Sequence, residues 1–408
     1  MGDILFLAHR VPFPPNRGDK IRAHHLLKKL SQLGRVHVGC FADSAEDRVA
    51  IAELDSVAAS HCVVDRKKPL SLAGMEAMLT RKPVSLTAFH SARLQSWVRQ
   101  KIQEQLIDTV VIFSGQMGQY LPEDYAGRFI IDLCDVDSAK FENYAEAGER
   151  VWLNSREAKL LAIEEERIAK RADTTILISD AEAELFVSRL GEISNINLRV
   201  VGNGIDAEFF DPAKVEPHPE ISARPGPHFV FTGQMDYPPN ERAAVWAIDS
   251  FWTAYQSKHP SAEIHVVGRN PTELLKRKGD VDPGIRIWGE VPDVRPFIAA
   301  ADCVVAPLSI ARGVQNKVLE AMAMARPVLL TPQAATGIGA RDGEHWMLCD
   351  VDAEAMSARF DTLGKDSLAR SKMGENARKY VLDHHDWDVM LAPLAKHLRN
   401  KGSKLDAA

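Results

Sequence analysis

Ala306-Pro-Leu-Ser-Ile-Ala-Arg-Gly-Val-Gln-Asn-Lys-Val-Leu-Glu-Ala-Met-Ala323 reads as one local event. A β-branched strand, Cys303 to Ala306, stops, a loop containing Gly313 follows, and an amphipathic helix starts near Asn316. That is the strand-loop-helix half of a βαβ unit. The free N–H groups of a helix start attract anions, a glycine lets a phosphate approach the backbone, and Lys317 in the first turn adds a positive charge. Glu320 follows Lys317 by three residues, hence on the same helical face, where a carboxylate can accept hydrogen bonds from sugar hydroxyls. The alternative for the pair is an i, i+3 ion pair on the outer side of a helix whose Val318, Leu319 and Met322 face a core.

The same rhythm runs outward in both directions. Toward the amino terminus, strands are expected at Asp3 to Ala8, Arg35 to Phe41, Cys62 to Asp65, Thr109 to Phe113, Phe129 to Leu133, Thr174 to Ile178 and Leu198 to Val201. A second series comprises Phe229 to Thr232, Glu263 to Val267, Ile285 to Trp288, Cys303 to Ala306 and Val328 to Thr331. Amphipathic stretches separate them. Lys20 to Leu33 sets Ile21, His24, Leu27 and Leu30 along one side with Lys28 and Lys29 outward, and 155–171 reads as another long helix. The class is α/β. With 408 residues, the chain exceeds what one core usually supports. Two Rossmann-like domains facing across a cleft are therefore expected, with the Pro-rich passage Asp211 to Pro227 as linker. Lys379 to Asn400 is expected to be helical, closing the second domain or crossing back to the first.

Composition narrows the function. Hydrophobic residues at 45% and charged residues at 26% belong to an ordinary globular protein and exclude disorder, collagen and coiled coil. Five scattered cysteines without a Cys-x-x-Cys pair indicate neither a disulfide framework nor a zinc knuckle and suit a reducing cytosol. Apolar runs such as Ile4 to Ala8 fall short of the ~18 residues a membrane span needs. No export or lipidation signal is legible at the amino terminus. A net charge of −6 argues against nucleic-acid binding. Residues 1–101 nevertheless carry 16 Lys and Arg against 9 Asp and Glu, whereas the remainder carries 34 against 47. That basic end is either uneven surface charge or a face that meets an anionic lipid carrier or the inner membrane surface.

Other strand ends carry weaker signals. Gly233, after Phe231-Thr, lets a ligand come close, while Asn240 is placed to cap a helix. Arg269 in Val266-Val-Gly-Arg-Asn270 is a phosphate clamp or a solvated charge. In His9-Arg-Val-Pro-Phe-Pro-Pro-Asn-Arg-Gly-Asp19, Arg17 and Gly18 border the expected cleft, and the loop lacks the G-x-G-x-x-G of a dinucleotide cofactor. Asp135-Val-Asp137 matches a metal-holding D-x-D pattern, but capping of the following helix explains it better, so no metal is assigned. His24-His25 and His384-His385 lack metal-ligand spacing, and neither a Gly-x-Ser-x-Gly elbow nor His-Glu-x-x-His occurs.

Taken together, Val201-Gly-Asn-Gly-Ile-Asp206 with Phe209, Phe231-Thr-Gly-Gln-Met-Asp236, and Asn316-Lys-Val-Leu-Glu-Ala-Met-Ala323 with Arg326-Pro-Val328 resemble the retaining GT-B glycosyltransferases of the group 1 (family 4) type. Asp135-Val-Asp-Ser138, Gly233-Gln-Met-Asp-Tyr-Pro-Pro-Asn240 and Ile310-Ala-Arg-Gly-Val-Gln-Asn-Lys317 are similar to segments of the PEP-CTERM/exosortase-associated sugar transferases. The resemblance covers nearly the whole chain. It implies a nucleotide-sugar donor held mainly by the second domain (206–379) and a glycan or lipid-linked acceptor held mainly by the first (1–205, joined by a helix over 380–408). It places Glu320 at the ribose and Lys317, Gly313 and Val314 at the diphosphate. Arg312 stands where the family's Glu-x7-Glu motif has its first acid, and a cation donates hydrogen bonds but cannot accept them. Transfer would retain anomeric configuration, without cofactor or metal, in cytoplasmic exopolysaccharide assembly. The competing readings are a nucleotide-sugar 2-epimerase, which releases no free nucleoside diphosphate overall, and a noncatalytic nucleotide-sugar sensor.

Overall fold

A computed structural model of the chain describes residues 2–104, 107–191, 196–311, 313–364 and 366–399. Two compact units emerge: the residues up to Asn203 together with those from Met390 onward, and Gly204–Val389. Among the described residues no helix is long and apolar enough to cross a membrane.

The first unit is built on seven strands: β1 (Asp3–Ala8), β2 (Val36–Ala42), β3 (Ser60–Asp65), β4 (Ile107–Phe113), β5 (Arg128–Cys134), β6 (Thr174–Leu177) and β7 (Leu198–Val200). All pair in parallel, in the order β3-β2-β1-β4-β5-β6-β7. Strands β1 and β2 are buried on both faces, as a parallel sheet covered by helices requires. The second unit holds β8 (His228–Thr232), β9 (Glu263–Val267), β10 (Ile285–Gly289), β11 (Cys303–Ala306), β12 (Val328–Leu330) and β13 (Met347–Leu348). Its order is β10-β9-β8-β11-β12-β13, again all parallel. In each sheet the order reverses beside the first strand, so β1/β4 and β8/β11 are topological switch points. Crevices at strand carboxyl ends open there.

Several expectations need correction. Asp211 to Pro227 is no linker: it lies inside the second unit, where Phe210 and Ile221 join the hydrophobic core. The carboxyl-terminal helix is broken into Ser367–His384, Trp387–Met390 and Ala392–Arg399. The chain leaves the second unit at Met390 rather than near 380, because Ile205 pairs with His385 and Asp386. Trp387, Leu391 and Leu394 are buried, as an apolar stripe should be. The helix Gly18–Leu33 turns inward a different side from the one expected: Ala23, Leu26, Leu27 and Leu30 are buried with Arg22, while Ile21 and His24 are half-buried.

Arg22 explains that phase. Its guanidinium is fully buried and meets the equally buried Asp132 of β5 through Nε (2.9 Å) and Nη2 (2.8 Å). It also donates to the Val201 carbonyl (2.8 Å), the Gly202 carbonyl (3.3 Å) and Asn203 Oδ1 (2.8 Å). One charged group thus ties the first helix, the fifth strand and the end of the first unit's main segment together. Burial pushes the Asp132 carboxyl up, against the pull of Arg22. Removing one partner of such a pair strands the other's charge and costs about 3–5 kcal/mol. Asp132→Ala is therefore expected to lower the unfolding free energy of the first unit by that amount, read as an earlier urea midpoint, and an Arg22→Met/Asp132→Leu double variant to recover much of the loss. An Asp132→Ala protein that unfolds with the wild type contradicts this account.

Candidate functional site

The second unit's switch point is bordered by the loops that leave β8 and β11. Gly233 ends β8, and an ideal Cβ on it would lie 3.0 Å from Lys317 Nζ and 2.9 Å from Asn240 Nδ2. Gly268, after β9, is pressed against the Gly233 carbonyl so closely that a Cβ would lie 1.6 Å from its oxygen. Gly233 N–H donates to the Val267 carbonyl at 3.1 Å, and Met235 N–H to the Arg269 carbonyl at 2.9 Å. The two strand-end loops are therefore laced together by backbone, and Gly268 excludes any side chain, while one at Gly233 would displace Lys317 and Asn240.

Lys317 reaches into this junction from the helix Asn316–Ala323. Its side chain is nine-tenths buried, donates to Asn240 Oδ1 at 2.7 Å, and lies 4.4 Å over the Phe231 ring. A cation over an aromatic face is stabilised electrostatically, more so where water is excluded. Burial lowers the ammonium pKa to about 8, although the Glu320 charge works the other way. Burial likewise raises the half-buried Glu320 carboxyl to about 7, against the pull of Lys317. Among the described residues the two form no ion pair within 4.0 Å, and no hydrogen bond reaches the Glu320 carboxyl, so the surface-pair alternative is not what the fold builds. Gly313, exposed at φ +65°, has open space where a Cβ would be. Val314, also exposed, leads to Gln315, whose side chain leaves the helix start uncapped. Arg269 is exposed and donates to Gln234 Oε1 at 2.6 Å. Lys317, Glu320, Gly233, Gly313, Val314 and Arg269 thus all sit at the carboxyl end of one sheet. Arg312 falls outside the described residues.

Sequence reasoning missed Asn240. It does not cap its helix, which starts at Pro238 with Tyr237 at the cap position. Instead its amide orients Lys317 and donates to the Gln234 carbonyl at 3.0 Å. Pro238-Pro239 starts the helix two residues before the asparagine, a signal the sequence does contain.

In the first unit, His9 ends β1 at the other switch point. It is 6% exposed, its Nε2 lies 3.1 Å from Asp19 Oδ2, and its Nδ1 is buried without a partner. Asp19 is held well below the usual carboxylate range; burial opposes this, but hydrogen bonding to His9 and the charges of Arg10, His9 and Arg17 prevail. Arg17 pairs with Asp19 at 2.8 Å, and Gly18 has open space around it. Asp135 and Asp137 line a small pocket with Gln116, Glu164 and Glu165. Burial raises both aspartates, and each has another carboxylate nearby that adds to the effect. Burial also raises Glu165 to about 7. The capping explanation for the aspartates fails: Val136 N–H is met by Glu182 Oε2 (2.9 Å) and Ser138 N–H by Glu165 Oε1 (2.9 Å).

Among the described residues, the one cluster with metal-ligand spacing is His228, Glu263 and His265. It lies on the first residues of β8 and β9, at the sheet end opposite Gly233 and Gly268. Trp288 Nε1, which can only donate, lies 3.3 Å from His265 Nδ1. His265 Nε2–H then donates to His228 Nδ1 (3.1 Å), and His228 Nε2–H to the Arg224 carbonyl (3.1 Å). This chain uses all four ring nitrogens, and burial keeps His265 neutral by lowering its pKa to about 3. Neither ring offers a spare lone pair to a cation.

Residues 226–366, all within the second unit, match the family model described as "Glycosyl transferases group 1". No curated protein matches the sequence. Among solved structures, the chain is similar to Anabaena Alr3699/HepE in complex with UDP, at TM-score 0.62 and 16% identity over 97% of this chain and 99% of that one. The same protein in complex with UDP-glucose gives TM-score 0.62. Sucrose-phosphate synthase from Thermosynechococcus elongatus matches at TM-score 0.61 and 15% identity over 98% of each chain. A glycosyltransferase from Rickettsia africae matches at TM-score 0.61 and 15% identity over 98% and 99%. At such identities the likeness establishes architecture: this is the GT-B fold of two Rossmann-like units, the second of which contains the stretch that matches the group 1 model.

Proposed function

We propose that the protein is a glycosyltransferase that moves a sugar from a nucleoside-diphosphate sugar to an acceptor, with retained anomeric configuration. The observation that carries this reading is the buried Lys317 ammonium, held by Asn240 over Phe231 beside an uncapped helix start and Gly313, around which space is open. Breaking a sugar-phosphate bond builds negative charge on the departing diphosphate, so preorganised donors at that point stabilise the transition state. Lys317, the N–H groups around Gly313 and Val314, and Arg269 supply them. Glu320, its carboxyl otherwise unengaged, accepts hydrogen bonds from the ribose. In front-face transfer the leaving phosphate helps to take the acceptor proton, which needs neither metal nor cofactor. On this reading the first unit binds the acceptor, a lipid-linked or growing exopolysaccharide glycan, as in the PEP-CTERM/exosortase-associated transferases, and the reaction runs in the cytoplasm.

The complexes of Anabaena Alr3699/HepE make UDP and UDP-glucose the first ligands to try, followed by guanosine and adenosine diphosphate sugars. Calorimetry is expected to find one base preferred. Lys317→Ala removes a charge-assisted hydrogen bond of about 2 kcal/mol, or roughly thirtyfold in affinity, and Glu320→Ala weakens binding through the ribose. Wild-type affinity in both variants contradicts the site.

The depressed lysine pKa gives an independent signature. Above about 8 the free protein loses the Lys317 proton, so donor affinity is expected to fall as pH rises through that value and binding there to take up a proton. Lys317→Ala should lack this alkaline limb. An affinity flat from pH 7 to 9 in the wild type argues against a diphosphate on Lys317.

A further inference from the structure

The helix Leu70–Thr80 in the first unit is built inside out. Its buried positions are two alanines, Ala73 and Ala77, both 0% exposed. Its large apolar side chains face solvent: Leu72 is 47% exposed, Met75 61%, Met78 41% and Leu79 86%. A surface helix ordinarily turns such residues inward. Leu72, Met75 and Leu79 follow one another at i, i+3 and i+7, so they form a continuous stripe. The stripe has a neighbour. Arg156 of the helix Val151–Arg171 donates through Nη2 to the Ala77 carbonyl (2.8 Å) and the Lys82 carbonyl (3.1 Å). Trp152, one turn before Arg156 on the same face, is 68% exposed. An exposed indole thus stands one turn from the residue that meets the carboxyl-terminal end of the helix Leu70–Thr80.

Cations flank the helix Leu70–Thr80 at both ends and none lies within it. Lys67, exposed and paired with Asp65 at 3.1 Å, precedes the helix, while the exposed Arg81 and Lys82 follow it without an ion-pair partner among the described residues. The helix's one acid, Glu76, is engaged by Lys68. Glu146 and Glu149 precede Val151 in the chain, so the basic character belongs to the flanks of Leu70–Thr80 alone.

We propose that this face docks on an anionic lipid bilayer, with Leu72, Met75, Leu79 and Trp152 entering the boundary between headgroups and acyl chains and Lys67, Arg81 and Lys82 against the headgroups. An amphipathic helix with apolar side chains and basic flanks fits that interface. A second copy fits it poorly: a twofold apposition of two such faces sets cationic ends against cationic ends in either direction. The inference stands on the first unit's surface and needs nothing from the donor chemistry of the second.

The test is co-sedimentation of the full chain with phosphatidylglycerol-phosphatidylcholine vesicles and with phosphatidylcholine vesicles. The wild type is expected to bind the anionic vesicles at least tenfold better, with binding weakened by salt and a blue shift of tryptophan emission that Trp152→Phe removes. Met75→Glu/Leu79→Glu, at exposed positions that leave the core intact, should abolish binding, and Arg81→Glu/Lys82→Glu should remove the preference for anionic lipid. Melting curves and donor binding to the second unit, read on the same samples, separate loss of docking from misfolding and from failure of the proposed function. No vesicle binding by the wild type, equal binding by the variants, or a wild-type dimer that Met75→Glu/Leu79→Glu dissociates overturns the proposal.

Discussion

A buried ammonium is expensive unless something compensates it, and Lys317 organises the second unit around that constraint. Its head is taken out of water, so it needs an acceptor, which Asn240 supplies, and an aromatic face, which Phe231 supplies. Neither carries a negative charge. The nearest acid in sequence on its face, Glu320, is itself pushed toward neutrality by burial. The site therefore holds a cation under tension, its pKa lowered, beside a helix start with no side-chain cap. A dianionic ligand resolves both deficits, and on the proposed reading that ligand is the diphosphate of the donor.

The parallel sheet is what makes such a site available. With β8 and β11 adjacent and their connections running to opposite sides, the loops after both strands diverge and leave a crevice. Gly233 and Gly268 draw the β8 and β9 loops together, which fixes Gln234 and Arg269 at the rim. The first unit repeats the order around β1 and β4, but its strand ends carry a different chemistry: a closed His9, Arg10 and Asp19 array and a cluster of acids about Asp137. Carboxylates with raised pKa values suit hydroxyl recognition rather than anion binding, which is the chemistry the proposed function asks of that side.

Most strands were legible because buried parallel strands are uninterrupted apolar, β-branched runs, and their observed ends lie within a few residues of those expected. Met347–Leu348 escaped notice because two residues make no pattern. The Pro-rich 211–227 segment was misread since proline marks irregular backbone, and irregular backbone can still pack: Ile221 is in the core. The phase of the helix Gly18–Leu33 was misjudged because hydrophobicity does not anticipate a buried arginine, whose partner Asp132 lies far along the chain. The exposed stripe of Leu70–Thr80 has the same cause in reverse: sequence shows that the residues are apolar, but only the fold shows which of them face water. At the candidate site, Lys317, Glu320 and Gly313 announced themselves through spacing. Asn240 did not, since its role depends on a residue in another βα unit.

The most direct measurement is a crystal structure of the protein with its preferred nucleoside-diphosphate sugar bound. The account predicts diphosphate oxygens within roughly 3.2 Å of Lys317 Nζ and of the backbone N–H groups at Gly313 and Val314, with ribose hydroxyls on Glu320. A nucleotide seated away from Lys317, or one whose diphosphate is held without it, would contradict the account.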